Sequence, residues 1–97
     1  MYAVIFKAEI SEIDEAYSQM ASRMRELAIN QYGCTGFTSC MEGDQEIAIS
    51  YWPSKDAIRA WKNNAEHMHA QELGASKWYK SYTVQVVQIL NQYQNHR

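Results

Sequence analysis

The stretch that decides the fold lies at residues 2–9, YAVIFKAE, and it is matched by a second stretch at residues 83–90, TVQVVQIL. Both are rich in β-branched and aromatic residues, as strands are. Alternate residues of a strand point to opposite faces of a sheet, and in both stretches each face carries apolar side chains. The first stretch alternates Tyr2, Val4 and Phe6 with Ala3 and Ile5. We therefore predict two strands that need apolar cover on both faces.

A helix is predicted from Ile13 to about Gln31. Its apolar residues advance by alternating steps of four and three, which places them on one helical face. Ser11 is the expected N-terminal cap, because its hydroxyl can accept from the free amides of the first turn. Gly33 is expected to end the helix. The apolar face consists of Ile13, Tyr17, Met20, Met24 and Leu27.

A hairpin and a second helix are predicted next. Residues 34–42, CTGFTSCME, and residues 45–52, QEIAISYW, have the pattern of two strands joined by a turn at Gly43-Asp44. Pro53 cannot continue the hydrogen-bond ladder, and Ser54 is the expected cap of the second helix. The inward positions of that helix are Ile58, Trp61, Ala65 and Met68, with its end near Leu73 and Gly74.

The element order β-α-β-β-α-β predicts an α+β fold, the ferredoxin-like sandwich, with a four-stranded antiparallel sheet and both helices on one face. We expect a single domain over residues 1–97, with a polar tail at residues 91–97. The helices leave the second apolar face of the sheet uncovered, so a homodimer joined sheet to sheet is expected. The alternative is that these apolar residues are scattered on the surface, as single exposed hydrophobic residues often are.

The composition limits the classes of function. The chain has 97 residues, of which 46% are hydrophobic, and a formal net charge of -2 without a basic stripe. Nucleic acid is therefore not an expected partner, and the third strand lacks the signature of RNA-binding domains with the same element order. The apolar run at residues 3–6 is too short to cross a bilayer, and no signal peptide is recognisable. We expect a soluble, cytoplasmic protein.

Cysteine and histidine spacing does not indicate a metal site. Cys34 and Cys40 would be about 20 Å apart on one strand, too far for a disulfide, so both are expected to be reduced thiols. The side chains of His67 and His69 diverge by about 200° on a helix and cannot bind the same metal ion. His69 is expected to point to solvent. His67 lies at the boundary of the helix, beside Asn64, where it either bonds a neighbour or reaches a cavity and transfers protons.

Aromatic side chains predict a binding hollow. Trp61 is on the inward face of the second helix, where it either fills the core or forms one wall of a pocket. Further aromatic residues are expected to meet it above one end of the sheet, and together they suit a flat hydrophobic ligand. They are Tyr51, Trp52, Trp78, Tyr79 and Tyr82. No nucleophile motif, phosphate loop or dinucleotide fingerprint is present.

Residues 47–89 carry a resemblance to a known family. The stretch ISYWPSKDAIRAWKNNAEHMHAQELGASKWYKSYTVQVVQI combines an aromatic strand end, a serine-capped helix, AW, EH, AQ, a glycine, WY and a valine-rich last strand. This order resembles the antibiotic biosynthesis monooxygenase (ABM) family of the dimeric α/β barrel superfamily. The resemblance implies a ferredoxin-like subunit, a dimer whose sheets form a barrel, and one cavity per subunit between sheet and helices.

The resemblance also implies chemistry. Family members include cofactor-free oxygenases of phenolic polyketides, quinol oxygenases and haem-degrading enzymes. Trp61 matches the tryptophan common in the second helix, and His67 falls where other members place a proton-handling group. The strand-one asparagine of the haem-degrading members is missing here, where Phe6, Lys7 and Glu9 stand, and Ala57 replaces an asparagine of some polyketide oxygenases.

We therefore expect a monooxygenase without cofactor or metal that acts on an aromatic, phenolic or quinol-like molecule with O2. His67 and Trp61 are the expected catalytic residues. Substrate-binding residues are expected to be Tyr51, Trp52, Asn64, Trp78, Tyr79 and Tyr82. The alternative is a non-catalytic dimer that binds a small molecule in the same cavity, because one fold serves unrelated functions.

Overall fold

The chain folds as four strands and two helices in the order β-α-β-β-α-β. A computed structural model describes residues 1–64 and 77–96. The elements are β1 (Tyr2–Ile10), α1 (Glu15–Gln31), β2 (Gly36–Glu42), β3 (Gln45–Trp52), α2 (Lys55–Lys62) and β4 (Tyr79–Gln88). The strands form one sheet in the order β2-β3-β1-β4, and all three neighbouring pairs are antiparallel. The ferredoxin-like fold predicted from the sequence is confirmed.

The two termini of α1 explain its length. The predicted cap was wrong, because Asp14 rather than Ser11 precedes the helix and accepts from the Tyr17 amide at 2.8 Å. β1 continues to Ile10, and the Ser11 amide donates to the Trp78 carbonyl at 2.7 Å, so the chain turns into the helix only after Ser11. Gly33 follows the helix with a φ of +82°, a left-handed conformation that glycine adopts without strain.

The hairpin between β2 and β3 has the predicted two-residue turn. Glu42 pairs with Gln45, and Gly43 has a φ of +59°. Glycine at the first turn position suits the right-handed twist of the flanking strands. The predicted bounds of β3 are confirmed, whereas β4 begins at Tyr79, four residues before its predicted start at residue 83.

The second helix is shorter than predicted. Ser54 caps α2 as expected, because its Oγ accepts from the Ala57 amide at 3.1 Å. The helix ends at Lys62, and the Asn63 amide donates to the Arg59 carbonyl at 3.0 Å. The predicted positions Ala65, Met68, Leu73 and Gly74 lie outside the described residues.

Both helices pack on the same face of the sheet. A core cluster joins residues of α1 and α2 to Val4 of β1 and Trp52 of β3. Val4 and Trp52 share that face, because Trp52 pairs with Tyr2, and Tyr2 points to the same side as Val4. The members from the helices are Met24, Leu27, Ala28, Ile58 and Trp61. The opposite face, here called the outer face, carries Ala3, Ile5, Ile47, Ile49, Tyr51 and Val87. No helix in the described ranges is both long and apolar enough to cross a bilayer.

Candidate functional site

A cavity of about 310 Å³ lies between α1 and the helix-covered face of the sheet. Its volume is at the lower end of the range typical of small-ligand sites, about 300–1,000 Å³. Aromatic side chains surround it, with polar groups at a few places. The lining residues are Val4, Phe6, Tyr17, Met20, Ala21, Ser22, Met24, Arg25, Phe37, Ser39, Glu46, Ala48, Ser50, Trp61, Lys62, Trp78, Tyr79, Tyr82 and Val84.

The alternation of β3 explains why a hollow exists here. Glu46, Ala48 and Ser50 point toward α1 and line the cavity. Ile47 and Ile49 point to the outer face, because successive side chains of a strand alternate. Except for Trp52 at the end of this central strand, its large apolar side chains are therefore turned away from the helices. The small side chains of Ala48 and Ser50 leave space that Phe6 and Met20 only partly fill.

An irregularity in β4 brings two tyrosines to the same wall. Ala8 pairs with Tyr82 and Glu9 with Ser81, but Ile10 pairs with Tyr79, so Lys80 is an extra residue in β4. In a regular strand, residues three apart point to opposite faces. The extra residue forms a β-bulge, which shifts the alternation by one, and both Tyr79 and Tyr82 line the cavity.

Aromatic rings pack closely at this end of the cavity. The Phe6 ring centroid lies 5.4 Å from that of Tyr79 and 5.9 Å from that of Tyr82. The Tyr17 ring of α1 meets Trp78 edge to face at 5.4 Å and Tyr79 at 6.2 Å. Such edge-to-face and offset pairs are favourable for aromatic rings. The cluster connects α1, β1 and β4.

Asp14 holds the start of α1 against the segment before β4. Its Oδ1 accepts from the Tyr17 amide and, at 3.2 Å, from the Trp78 indole nitrogen. Lys77 Nζ lies 2.7 Å from Oδ2. The hydrogen bond from Lys77 and that from the Tyr17 amide lower the pKa of the Asp14 carboxyl below its ordinary value. Asp14 therefore places Tyr17 and Trp78 at the edge of the cavity.

The polar end of the cavity is formed by Glu46, Tyr17 and Tyr79. Burial and a hydrogen bond to the Glu46 carboxylate raise the pKa of Tyr17 above its ordinary value. Burial, with the charge of Glu46, raises the pKa of Tyr79 to about 12. Both hydroxyls therefore stay protonated at neutral pH. They can donate hydrogen bonds to the carboxylate or to a ligand.

Trp61 of α2 lines the other end of the cavity. Its side chain is buried, and its ring centroid lies 5.2 Å from that of Trp52 and 6.5 Å from that of Phe37. The indole nitrogen donates to the Met24 carbonyl of α1 at 3.3 Å. Trp61 combines the two roles that the sequence left open, because it packs in the core and lines the cavity.

The structure separates the residues predicted to bind substrate. Trp78, Tyr79 and Tyr82 line the cavity together with Trp61. Tyr51 lies on the outer face, and Trp52 is 0% exposed in the core, where its indole nitrogen donates to Ser50 Oγ at 2.8 Å. Neither Tyr51 nor Trp52 lines the cavity.

The two predicted aromatic segments do not meet at one end of the sheet. Tyr2 pairs with Trp52 at one end of β1, whereas Ile10 pairs with Tyr79 at the other end. The antiparallel pairing of β1 with β3 and of β1 with β4 requires this separation, because the end of β3 and the start of β4 pair with opposite ends of β1.

Of the polar residues predicted for the site, Asn64 lies in the described part of the chain. Asn64 Nδ2 donates to the Tyr32 hydroxyl at 2.9 Å, and Asn64 does not line the cavity. His67 and His69 lie outside the described residues. In the described ranges, no group of three or more His, Cys, Asp or Glu side chains could hold a metal ion.

Of the three residues at the polar end of the cavity, Tyr17 and Glu46 were not predicted as site residues from the sequence. Tyr17 was assigned to the core face of the first helix, and Glu46 received no role. A signal for Glu46 was present, because it shares its strand face with Ala48 and Ser50, whereas Ile47 and Ile49 occupy the other face. A charged residue among small ones on a helix-covered face indicates a site rather than packing.

The comparisons with known proteins give one relative of high identity. No family model matches the chain. The uncharacterized protein YqjZ of Bacillus subtilis is 46% identical over 89 residues, which cover 91% of this chain and 78% of YqjZ.

Solved structures with the same fold are more distant in sequence. A putative antibiotic biosynthesis monooxygenase from Nitrosomonas europaea has a TM-score of 0.77 at 16% identity and covers 94% of this chain and 100% of its own. SnoaB, a cofactor-independent oxygenase from Streptomyces nogalater, has a TM-score of 0.79 at 10% identity, with 97% of each chain covered. Rv0793 of Mycobacterium tuberculosis has a TM-score of 0.81 at 14% identity, covering 96% of this chain and 98% of its own. The chain therefore belongs to the family of YqjZ, and its fold is that of the antibiotic biosynthesis monooxygenase proteins, as its resemblance to them predicted.

Proposed function

We propose that this protein is a cofactor-independent monooxygenase that oxidises an aromatic, phenolic or quinol-like molecule with O2. The observation that carries the proposal is the cavity beneath α1, which is lined by aromatic rings and has hydroxyl and carboxylate groups at one end. Such a cavity suits a flat ring that bears a hydroxyl group. The fold shared with SnoaB, described as a cofactor-independent oxygenase, supports the same chemistry.

The reaction needs no external reductant. A hydroquinone and O2 give a hydroxylated quinone and water, so one oxygen atom enters the ring and the other leaves as water. The substrate supplies all four electrons. The protein has to bind the ring, orient it and accept a proton from its hydroxyl group. We assign ring packing to Trp61 and proton transfer to His67, whose ordinary pKa near neutrality suits that role.

A homodimer is part of the proposal. The outer face of the sheet presents Ile5, Ile47, Ile49 and Val87 without a helix to cover them, and Tyr51 beside them is 38% exposed. A sheet face of this composition is poorly suited to water. A second copy would cover it through an isologous contact, in which each subunit uses the same patch.

The test is oxygen consumption with 1,4-naphthohydroquinone, corrected for the spontaneous reaction. We expect His67→Ala to lower the rate at least about a hundredfold, the usual contribution of a general base. His69→Ala is the matched control, since His69 lies two residues further along and is assigned to solvent. Its rate should equal that of the wild type. Product analysis should find the hydroxylated quinone, and added catalase should return no oxygen.

Two outcomes would contradict the proposal. If catalase returns half of the oxygen consumed, the protein produces hydrogen peroxide and is an oxidase. If naphthohydroquinone raises the thermal stability of the protein without oxygen uptake, the cavity binds the ligand and the alternative of a non-catalytic binding domain is favoured. Equal rates in wild type and His67→Ala would remove His67 from the mechanism.

A further inference from the structure

Glu46 is placed unusually for a charged residue. It lies on the helix-covered face of β3, between Met41 of β2 and Ala8 of β1. Carboxylates are mostly exposed in proteins, and a buried one requires hydrogen bonds or a counter-charge. Its Oε2 is buried and has no hydrogen-bond partner in the part of the chain that the structure describes.

Glu46 lines the cavity, and its Oε2 has no hydrogen-bond partner in the described part of the chain. Tyr17 and Tyr79 line the same cavity, and burial together with the Glu46 carboxylate raises the pKa of both hydroxyls, so both stay protonated. The two described cations of the cavity wall are Arg25 and Lys62. Arg25 Nη2 donates to the Phe37 carbonyl at 3.0 Å, and the guanidinium lies over the Phe37 ring at 5.7 Å.

The aromatic and polar ends of the cavity lie about four residues apart along β1. Val4 lies near Trp61 in the core cluster, and Ala8 pairs with Glu46. Four residues along β1 correspond to about 13 Å. A ring packed beside Trp61 and Phe6 could therefore direct a hydroxyl group toward Glu46. A carboxylate can only accept hydrogen bonds, so the ligand has to be the donor.

We infer that Glu46 is a substrate-binding residue that accepts a hydrogen bond from the hydroxyl group of an aromatic ligand. Tyr17 and Tyr79 line the same cavity as Glu46. This inference deepens the proposed function and takes from it the class of ligand. It adds that the protein recognises a hydroxyl group of the ligand that donates a hydrogen bond, and that an ether of the same shape is rejected. A site built around a buried polar group discriminates strongly against an analogue that cannot pair with it.

The test compares 2-naphthol with 2-methoxynaphthalene, which has the same ring system and no hydroxyl donor. Binding is measured by equilibrium dialysis under argon, so that no oxidation takes place. We expect the wild type to bind the naphthol at least tenfold more tightly than the ether. In Glu46→Leu, which has an apolar side chain of similar size, the two affinities should become equal through loss of naphthol binding.

Glu42→Leu is the matched control. Glu42 is an exposed carboxylate at the end of β2, away from the cavity lining, and its replacement removes the same charge. This variant should keep the tenfold preference. Glu46→Gln is a second variant that keeps the shape and one accepting oxygen, and we expect it to retain part of the preference. Circular dichroism of each variant establishes that it is folded.

The inference is overturned if the wild type binds both compounds equally or binds neither, or if Glu46→Leu keeps the preference. These outcomes are distinguishable from failure of the proposed function. A protein that consumes oxygen with naphthohydroquinone but shows no hydroxyl preference retains its proposed activity and loses this role of Glu46. A protein that prefers the naphthol but consumes no oxygen retains the binding site and loses the proposed activity.

Discussion

Replacement of Trp61 tests whether this residue supports the fold as strongly as its packing indicates. The side chain is only 7% exposed. An aromatic residue buries about 150–250 Å², which corresponds to about 4–6 kcal/mol at about 25 cal/mol per Å². Measured replacements of buried aromatic residues by alanine cost about 3–5 kcal/mol. We therefore expect Trp61→Ala to lower the free energy of unfolding by about 3–5 kcal/mol.

That loss is large for a chain of this size. At about 0.05–0.15 kcal/mol per residue, the 97 residues give a total stability of about 5–15 kcal/mol. Trp61→Ala could therefore fail to fold, and Trp61→Phe is the second variant. It keeps one ring and loses the hydrogen bond to the Met24 carbonyl, so we expect a loss of about 1–3 kcal/mol.

The assay is urea unfolding followed by far-ultraviolet circular dichroism, at one protein concentration. The denaturation midpoint should fall while the m-value stays constant, because the unfolded surface is unchanged. Tyr93→Ala is the control, since Tyr93 is 90% exposed, and its effect should stay within about 0.5 kcal/mol. If Trp61→Phe also stays within that limit, Trp61 does not pack as described.

Two further predictions concern the charge at Asp14 and the outer face. Because the pKa of Asp14 is lowered in the folded state, first by Lys77, its ionised form stabilises the fold above its ordinary pKa, and this contribution is lost as the pH falls through the lowered value. Asp14→Asn keeps a capping residue but loses the charge, so its urea midpoint should be below that of the wild type at pH 7 and approach it by pH 3. A difference in midpoint that is independent of pH would refute the assignment. The control Asp56→Asn removes an exposed carboxylate of α2 and should change the midpoint little at either pH. Ile49→Lys places a charge at the centre of the outer face and should raise the dissociation constant of the proposed dimer by a factor of about 100 or more, measured by sedimentation at micromolar concentration. The control Ser18→Lys, on the exposed side of α1, should leave the dissociation constant unchanged. A wild-type monomer under these conditions would contradict the dimer.

Local sequence signals predicted the helices and strands well where a single residue determines where the element begins or ends. The bounds of β3 follow from the turn at Gly43-Asp44 and from Pro53, and Ser54 caps α2 as expected. The start of α1 was misplaced because Ser11 is a good cap in isolation. Its amide is instead bonded to the Trp78 carbonyl, a contact between residues far apart in sequence that no local pattern reveals.

Only part of the candidate site was predicted, because the rest also depends on contacts between residues far apart in sequence. The aromatic residues before and within β4 could be recognised from composition, and Tyr79 and Tyr82 line the cavity. Which face each one points to depends on the bulge at Lys80, which is set by pairing with β1. Tyr51 and Trp52 were grouped with them because both segments are aromatic, although the sheet separates them. Tyr17 was missed because a helix position that faces a cavity has the same spacing as one that faces the core.

The alternation of β3 gives the even- and odd-numbered positions of one strand separate tasks. Residues 46, 48 and 50 line the cavity and limit its size, and residues 47, 49 and 51 lie on the outer face, which the proposed dimer would use. Enlarging or shrinking side chains at the even positions should alter ligand choice without disturbing assembly, and changes at the odd positions should do the reverse. A slip of this strand by one residue would exchange the two sets, filling the chamber with isoleucine and turning a carboxylate outward, so both properties depend on the same register.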